Sequence, residues 1–168
     1  MDSPNKDNTR RNFIKTSTVA AAAASALPRK AKGFQGGSEE IKVGLVGCGG
    51  KGTSDIRQVL GVGDKVKLWA MGDALDRNAQ GKYKALSNGG TKEKVDCKDR
   101  VFSGIDAFQK VIDSGVDIVF LVTSPGFRPV HFDYAVEQGK HVFMQKPCSV
   151  DGRGSRMLLE SNKKAKAK

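Results

Sequence analysis

The sequence predicts an α/β fold built on a doubly wound parallel sheet. Three observations predict it: an apolar, β-branched run that stops at a glycine-rich turn, a second apolar run that ends in an acidic residue, and further strands that alternate with amphipathic helices. Such alternation is typical of parallel sheets, whose strands are joined by right-handed helical crossovers.

The first strand and the turn after it carry the most specific motif. Residues 41–52 read IKVGLVGCGGKG, an apolar strand followed directly by G-x-G-x-x-G. Pyrophosphate binding requires backbone N–H groups close to the phosphate oxygens and a helix N-terminus directed at the charge. The motif therefore predicts a Rossmann-type dinucleotide site. The predicted pyrophosphate-binding residues are Gly47, Cys48, Gly49, Gly50, Lys51 and Gly52.

The next helix and strand follow in the order that the motif requires. Residues 53–60 predict a helix, and residues 66–71 predict a strand that stops at Gly72 and Asp73. A carboxylate here can accept the ribose hydroxyls of NAD and repel the 2′-phosphate of NADP. Asp73 could instead cap a helix or a turn. Arg77, one helical turn later, could meet a 2′-phosphate, so NADP stays possible.

The second half of the chain repeats the alternation. Strands are predicted at residues 101–103, 116–122 and 141–144, and helices at 105–114 and 130–138. Ligands of such sheets bind beyond the carboxyl ends of the strands. We therefore expect the two segments that follow the last strands to lie in the same crevice as the glycine turn. These segments are Thr123-Ser124-Pro125 and Gln145-Lys146-Pro147.

Composition argues against several other classes of protein. The 168 residues carry a formal charge of +11. A few basic residues cluster near each terminus and the remaining ones are scattered without interleaved aromatic residues, so a nucleic-acid partner is not expected. Three cysteines and two histidines show no spacing typical of a metal site or a disulfide framework. We predict no metal.

The N-terminal segment resembles an export signal. Paired arginines, Arg10 and Arg11, precede Phe13-Ile14-Lys15, a short alanine-rich run and a small-residue cleavage site at residues 24–26. This order is similar to a twin-arginine signal, and the apolar run is too short to span a bilayer. An amphipathic or disordered basic tail is the alternative. The predicted organisation is a signal at 1–27, a linker at 28–40, a dinucleotide-binding domain at 41–150, and a helix with a basic tail at 151–168.

These motifs together resemble the glucose–fructose oxidoreductase and inositol dehydrogenase family (Gfo/Idh/MocA). The resemblance rests on GCGGKG, on Asp73 and on VTSPGFRPVHFDYAVEQGKHVFMQKP, and covers roughly residues 41–164. It implies tight binding of NAD or NADP and hydride transfer between the nicotinamide and a sugar, cyclitol or related polyol. The twin-arginine leader is similar to those of exported bacterial members, which implies a periplasmic or extracellular location.

The resemblance also assigns roles to individual residues. It implies that Thr123, Ser124 and Pro125 line the nicotinamide ribose. It implies that Lys146 binds the substrate hydroxyl and stabilises the alkoxide-like charge as the hydride leaves, and that His131 has a structural role.

Two departures from the family pattern qualify these expectations. Gln145 stands where the family motif has glutamate, so the charge is lost while the shape and one acceptor oxygen remain. The family's second domain, an antiparallel sheet with the general base and the usual oligomer interface, has no counterpart in the sequence. We therefore expect a truncated chain with little activity alone. The alternative is a non-catalytic dinucleotide-binding module or partner subunit, and the substrate stays unnamed.

Overall fold

The structure, a computed structural model, describes residues 40–167. The predicted signal at 1–27 and nearly all of the predicted linker lie outside these residues. The strands are β1 (Ile41–Val46), β2 (Val66–Asp73), β3 (Val101–Ser103), β4 (Ile118–Leu121) and β5 (His141–Met144). The helices are α1 (Gly50–Leu60), α2 (Asp76–Ser87), α3 (Ala107–Asp113), α4 (Arg128–Glu137) and α5 (Gly152–Ala167), with a short 3-10 helix at Lys92–Lys94.

The five strands form one parallel sheet in the order β3-β2-β1-β4-β5. This confirms the predicted doubly wound fold. The chain reverses its winding direction between β1 and β4, so the crevice at their carboxyl ends is where a ligand is expected in such a sheet. The sheet thereby places the glycine turn after β1 at the centre of that crevice.

Each face of the sheet has its own apolar core. Leu45 and Met71 of the sheet pack with Ile56 and Leu60 of α1 on one face. On the other face, Val119 and Ala70 pack with residues of α3 and α4, and α5 lies against α4. Because helices cover both faces, the central strands are apolar on both sides, as parallel strands require.

The observed elements depart from the predicted ones chiefly at α1, α2 and β4, whereas the ends of the other predicted strands and helices in residues 41–144 differ by two residues or fewer. Helix α1 begins at Gly50, three residues before the predicted start, because the motif glycines themselves form its first turn. Helix α2 was not predicted, since only Ala79 and Leu86 of its twelve residues are buried and the apolar pattern is weak. Strand β4 is shorter than predicted, at four residues. Among residues 40–167, no helix combines the length and apolarity needed to cross a bilayer.

Candidate functional site

The glycine turn is held in place by two close approaches that only glycine allows. Gly47 has φ of 99°, and a Cβ atom there would lie 2.6 Å from the backbone nitrogen of Thr123. A Cβ atom at Gly52 would lie 2.0 Å from the carbonyl oxygen of Gly47. These contacts bring helix α1 against the turn and the turn against the end of β4.

The other side of the same turn is open. A Cβ atom at Gly49 or Gly50 would meet no atom within 4 Å. The first hydrogen bond of α1 is donated by the backbone N–H of Thr53 to the carbonyl of Gly49, at 3.0 Å. The N–H groups at residues 50–52 therefore precede the helical ladder and point out of the helix N-terminus. An anion at this terminus would meet free donors and the positive end of the helix dipole, so the turn fits a pyrophosphate.

Asp73 lies beside the turn, at the end of β2. Its Oδ2 accepts the backbone N–H of Cys48 at 2.7 Å, and its Oδ1 accepts the backbone N–H of Leu75 at 2.9 Å and the side-chain amide of Asn78 at 3.2 Å. Asp73 thus ties the turn to the start of α2. An ionised carboxylate has about four acceptor positions, so at least one is left for a ligand hydroxyl.

Cys48 has a structural role in this turn. Its thiol is fully buried and donates to the carbonyl of Gly72 at 3.3 Å, while its N–H goes to Asp73. Burial and the nearby Asp73 carboxylate raise the pKa of the thiol well above its ordinary value, so it stays neutral. Of the predicted turn residues, Gly49, Gly50 and Lys51 are exposed on the open side.

A small apolar cavity adjoins Asp73 and opens to solvent. Its walls come from the loop after β3 and from helices α3 and α4, with Phe108 and His131 among them. Ile105 and Phe127 at its rim are 75% and 54% exposed, a large fraction for apolar side chains. The cavity has the apolar walls and a neighbouring carboxylate that an adenosine group would require.

His131 belongs to the wall of this cavity. Its ring stacks on Phe108 with centroids 4.1 Å apart, and its Nδ1 lies 3.2 Å from the hydroxyl of Thr123. Burial lowers its pKa from 6.5 to about 4, so the ring is neutral at physiological pH. These contacts fit the structural role that the resemblance implied. Of the other strand-end residues, Ser124 is exposed and Pro125 is half-buried.

The end of β5 carries Gln145 and Lys146. The side-chain amide of Gln145 donates to Oδ2 of Asp55 at 2.9 Å, and Asp55 also contacts the ammonium of Lys51 at 2.5 Å. Lys146 is exposed, and among residues 40–167 no recorded side-chain partner holds its ammonium. Its peptide bond to Pro147 is cis. The predicted catalytic lysine is therefore free to meet a ligand at the same sheet edge as the glycine turn.

Arg128 joins the two strand-end segments, and the sequence did not single it out. It is only 6% exposed, and its guanidinium donates to the carbonyls of Thr123 at 2.6 Å, Gln145 at 2.6 Å and Pro147. A buried cation is stable only when its donors are satisfied. Arg128 therefore fixes the segment after β4 to the segment after β5. Asp55 was also missed, although its position four residues after Lys51 was a visible signal.

No metal centre accompanies these groups. Within residues 40–167, no cluster of three or more His, Cys, Asp or Glu side chains is arranged to hold a metal ion. The cysteines among these residues are not disulfide-bonded.

Comparison with known proteins places these features in a family. Residues 41–168 match the sequence model of the oxidoreductase family with an NAD-binding Rossmann fold. Glycosyl hydrolase family 109 protein 1 from Phocaeicola vulgatus is 25% identical over 114 residues, which are 67% of this chain and 23% of that protein.

Two solved structures share the fold. The WlbA dehydrogenase from Bordetella pertussis, in complex with NADH and UDP-GlcNAcA, superposes with a TM-score of 0.62 at 22% identity, over 76% of this chain and 33% of that one. The scyllo-inositol dehydrogenase from Lactobacillus casei superposes with a TM-score of 0.59 at 22% identity, over 76% and 34%. The chain thus spans a quarter to a third of the length of these proteins.

Proposed function

The chain belongs to the oxidoreductase family with an NAD-binding Rossmann fold, and from this premise we propose that it binds NAD for hydride transfer to or from a sugar, cyclitol or related polyol. The observation that carries the proposal is the glycine turn. Its inner side is closed by the contacts of Gly47 and Gly52, and its outer side leaves room for phosphates at the start of α1.

The adenosine and nicotinamide halves of the cofactor are expected on opposite sides of the glycine turn. Asp73 lies on the β2 side of the turn and fits the adenosine half, and the adjoining apolar cavity reaches from Asp73 to Thr123 at the end of β4. Gln145 and Lys146 follow β5 on the other side of the turn. Since a dinucleotide crosses the crevice at the switch point, the nicotinamide half belongs beside these residues.

Lys146 is the group at this end that can assist the reaction. Bound NAD supplies the hydride acceptor at its nicotinamide ring. A cation beside the substrate hydroxyl stabilises negative charge that develops on the oxygen and lowers its pKa. Neither His131, which is buried and neutral, nor His141, which lies at the start of β5, is placed to remove the hydroxyl proton. We therefore assign removal of the hydroxyl proton to neither histidine.

We propose NAD rather than NADP as the preferred cofactor. The carboxylate of Asp73 would hydrogen-bond the adenosine ribose and repel a 2′-phosphate. Arg77 is exposed in the first turn of α2 and is the group that would favour NADP.

Cofactor titration tests the proposal. The full chain is titrated with NAD and NADP and followed by calorimetry, and saturable binding with NAD the tighter ligand is expected. Asp73→Asn keeps the shape of the side chain and removes its charge, so the preference for NAD over NADP should shrink. Asp113→Asn is the matched control, because Asp113 contacts Tyr134 at the end of α3, which leads to the amino end of β4. Absence of binding by either cofactor at millimolar concentration would refute the proposal.

Catalysis is tested separately from binding. Formation of NADH is followed by absorbance with a panel of sugars and cyclitols. Reduction of NAD by a panel member, lost in Lys146→Ala, supports the oxidoreductase reading. Binding of NAD without reduction by any panel member would favour the alternative, a dinucleotide-binding module or partner subunit.

We also propose export by the twin-arginine route. The supporting residues, Arg10 and Arg11, lie outside the described part of the chain. The proposal rests on their order before a short alanine-rich run.

A further inference from the structure

Asp55 lies between the glycine turn and the end of β5. Its side chain is 9% exposed and accepts two hydrogen bonds, one from the ammonium of Lys51 and one from the side-chain amide of Gln145 at 2.9 Å. The second bond joins residues that are 90 positions apart. It is a direct side-chain link between helix α1 and the segment that carries Lys146.

The charge on Asp55 decides which side chain position 145 can hold. Burial raises the pKa of Asp55, but hydrogen bonds from Lys51 and Gln145 outweigh that effect and leave the pKa below its ordinary value. The carboxylate is therefore ionised at neutral pH and can only accept. An amide at position 145 satisfies it, whereas a glutamate would place a second negative charge at hydrogen-bond distance.

The side chain of Gln145 contacts both Asp55 and the backbone of the next residue, Lys146. While its amide nitrogen donates to Asp55, its Oε1 accepts the backbone N–H of Lys146 at 3.0 Å. The carbonyl of Gln145 is held by Arg128 at 2.6 Å. The side chain of Gln145 thus connects a fixed carboxylate on α1 to the backbone of the exposed lysine.

We propose that Asp55 is a positioning residue for the nicotinamide end of the site, acting through Gln145 on Lys146. In this chain the negative charge at the nicotinamide end is carried by Asp55 on α1, whereas the family motif has a glutamate at position 145. The inference rests on the proposed function for the identity of the ligand, but the Asp55–Gln145 pair itself can be tested without any ligand.

The ligand-free test is thermal unfolding of three variants of the full chain between pH 5 and 8. Gln145→Glu should lower the melting temperature most at pH 8, where both carboxyl groups are charged, and less at pH 5. The double variant Asp55→Asn with Gln145→Glu reverses donor and acceptor and should recover most of the loss. Gln109→Glu, on the exposed surface of α3, is the control for adding a charge. A double variant no more stable than Gln145→Glu would overturn the proposal.

Cofactor binding then separates positioning from general stability. Gln145→Glu should bind NAD about tenfold more weakly, because repulsion between Asp55 and the new carboxylate would displace the segment that carries Lys146. Its affinity for ADP, which lacks the nicotinamide half, should match that of the wild type. The double variant should regain NAD affinity. Equal loss of NAD and ADP affinity would overturn the positioning role, whereas wild-type protein that binds neither would refute the proposed function instead.

Discussion

His131 should make the protein progressively less stable as the pH falls from 6.5 to 4. Burial next to Phe108 lowers the pKa of its imidazole to about 4 in the folded chain, whereas the ordinary value is 6.5. Between these values the unfolded chain binds a proton that the folded chain does not, so the free energy of unfolding falls with falling pH. At about 1.4 kcal/mol for each pH unit, the full effect is about 3 kcal/mol.

The assay is urea unfolding at a series of pH values, on wild type and on His131→Gln. The glutamine keeps a polar group near Thr123 but does not titrate, so its free energy of unfolding should fall less across this range. The gap between the two pH profiles should approach about 3 kcal/mol by pH 4. That is a large share of the 5–15 kcal/mol typical of a folded domain.

The variant His141→Gln is the control for the replacement of a histidine by glutamine. His141 is exposed at the start of β5, and His141→Gln should follow the wild-type profile. Parallel profiles for wild type and His131→Gln from pH 6.5 to 4 would refute the reasoning, because they would mean that the folded chain protonates His131 as readily as the unfolded chain does.

Three further variants test other parts of the molecule. Gly52→Ala should lower the free energy of unfolding by about 1–3 kcal/mol and weaken NAD binding, because its Cβ would lie 2.0 Å from a backbone oxygen. Gly50→Ala is the control in the unfolding measurement, because a Cβ atom there would meet no atom within 4 Å. Arg128→Met should lower the free energy of unfolding by roughly 1–3 kcal/mol, since it removes the donor from three main-chain carbonyls; an unchanged urea midpoint would contradict this. Arg10→Lys with Arg11→Lys should keep the protein in the cytoplasm, as fractionation and immunoblotting would reveal, while unchanged export would rule out the twin-arginine route.

Local sequence patterns were enough to predict the sheet and the glycine turn. A strand followed by G-x-G-x-x-G constrains the backbone within a dozen residues, and the apolar runs of β1 and β4 reflect burial on both faces. Helix α2 was not predicted because only two of its twelve residues are buried and Gly81 lies in its interior. The pattern of apolar residues is informative only where a face is buried.

The contacts that organise the site could not be predicted in the same way. The bond between Asp55 and Gln145 and the bonds from Arg128 to Thr123 and Gln145 depend on the three-dimensional register of β1, β4 and β5. Each partner taken alone looks like an ordinary polar residue on a helix or at a strand end. The departure at Gln145 was visible in the sequence, but its physical reason, the carboxylate of Asp55, required the structure.

The guanidinium of Arg128 gives this edge of the fold a framework that is indifferent to side-chain identity. Its three hydrogen bonds go to main-chain carbonyls, which every amino acid possesses. Exchanging the side chain at position 123 or 145 therefore leaves these main-chain acceptors in place, even where it breaks side-chain contacts such as that of Gln145 with Asp55. The main-chain path at this edge of the crevice is thereby fixed separately from the side-chain contacts, so the position of the backbone and the chemistry of the side chains can change independently of each other.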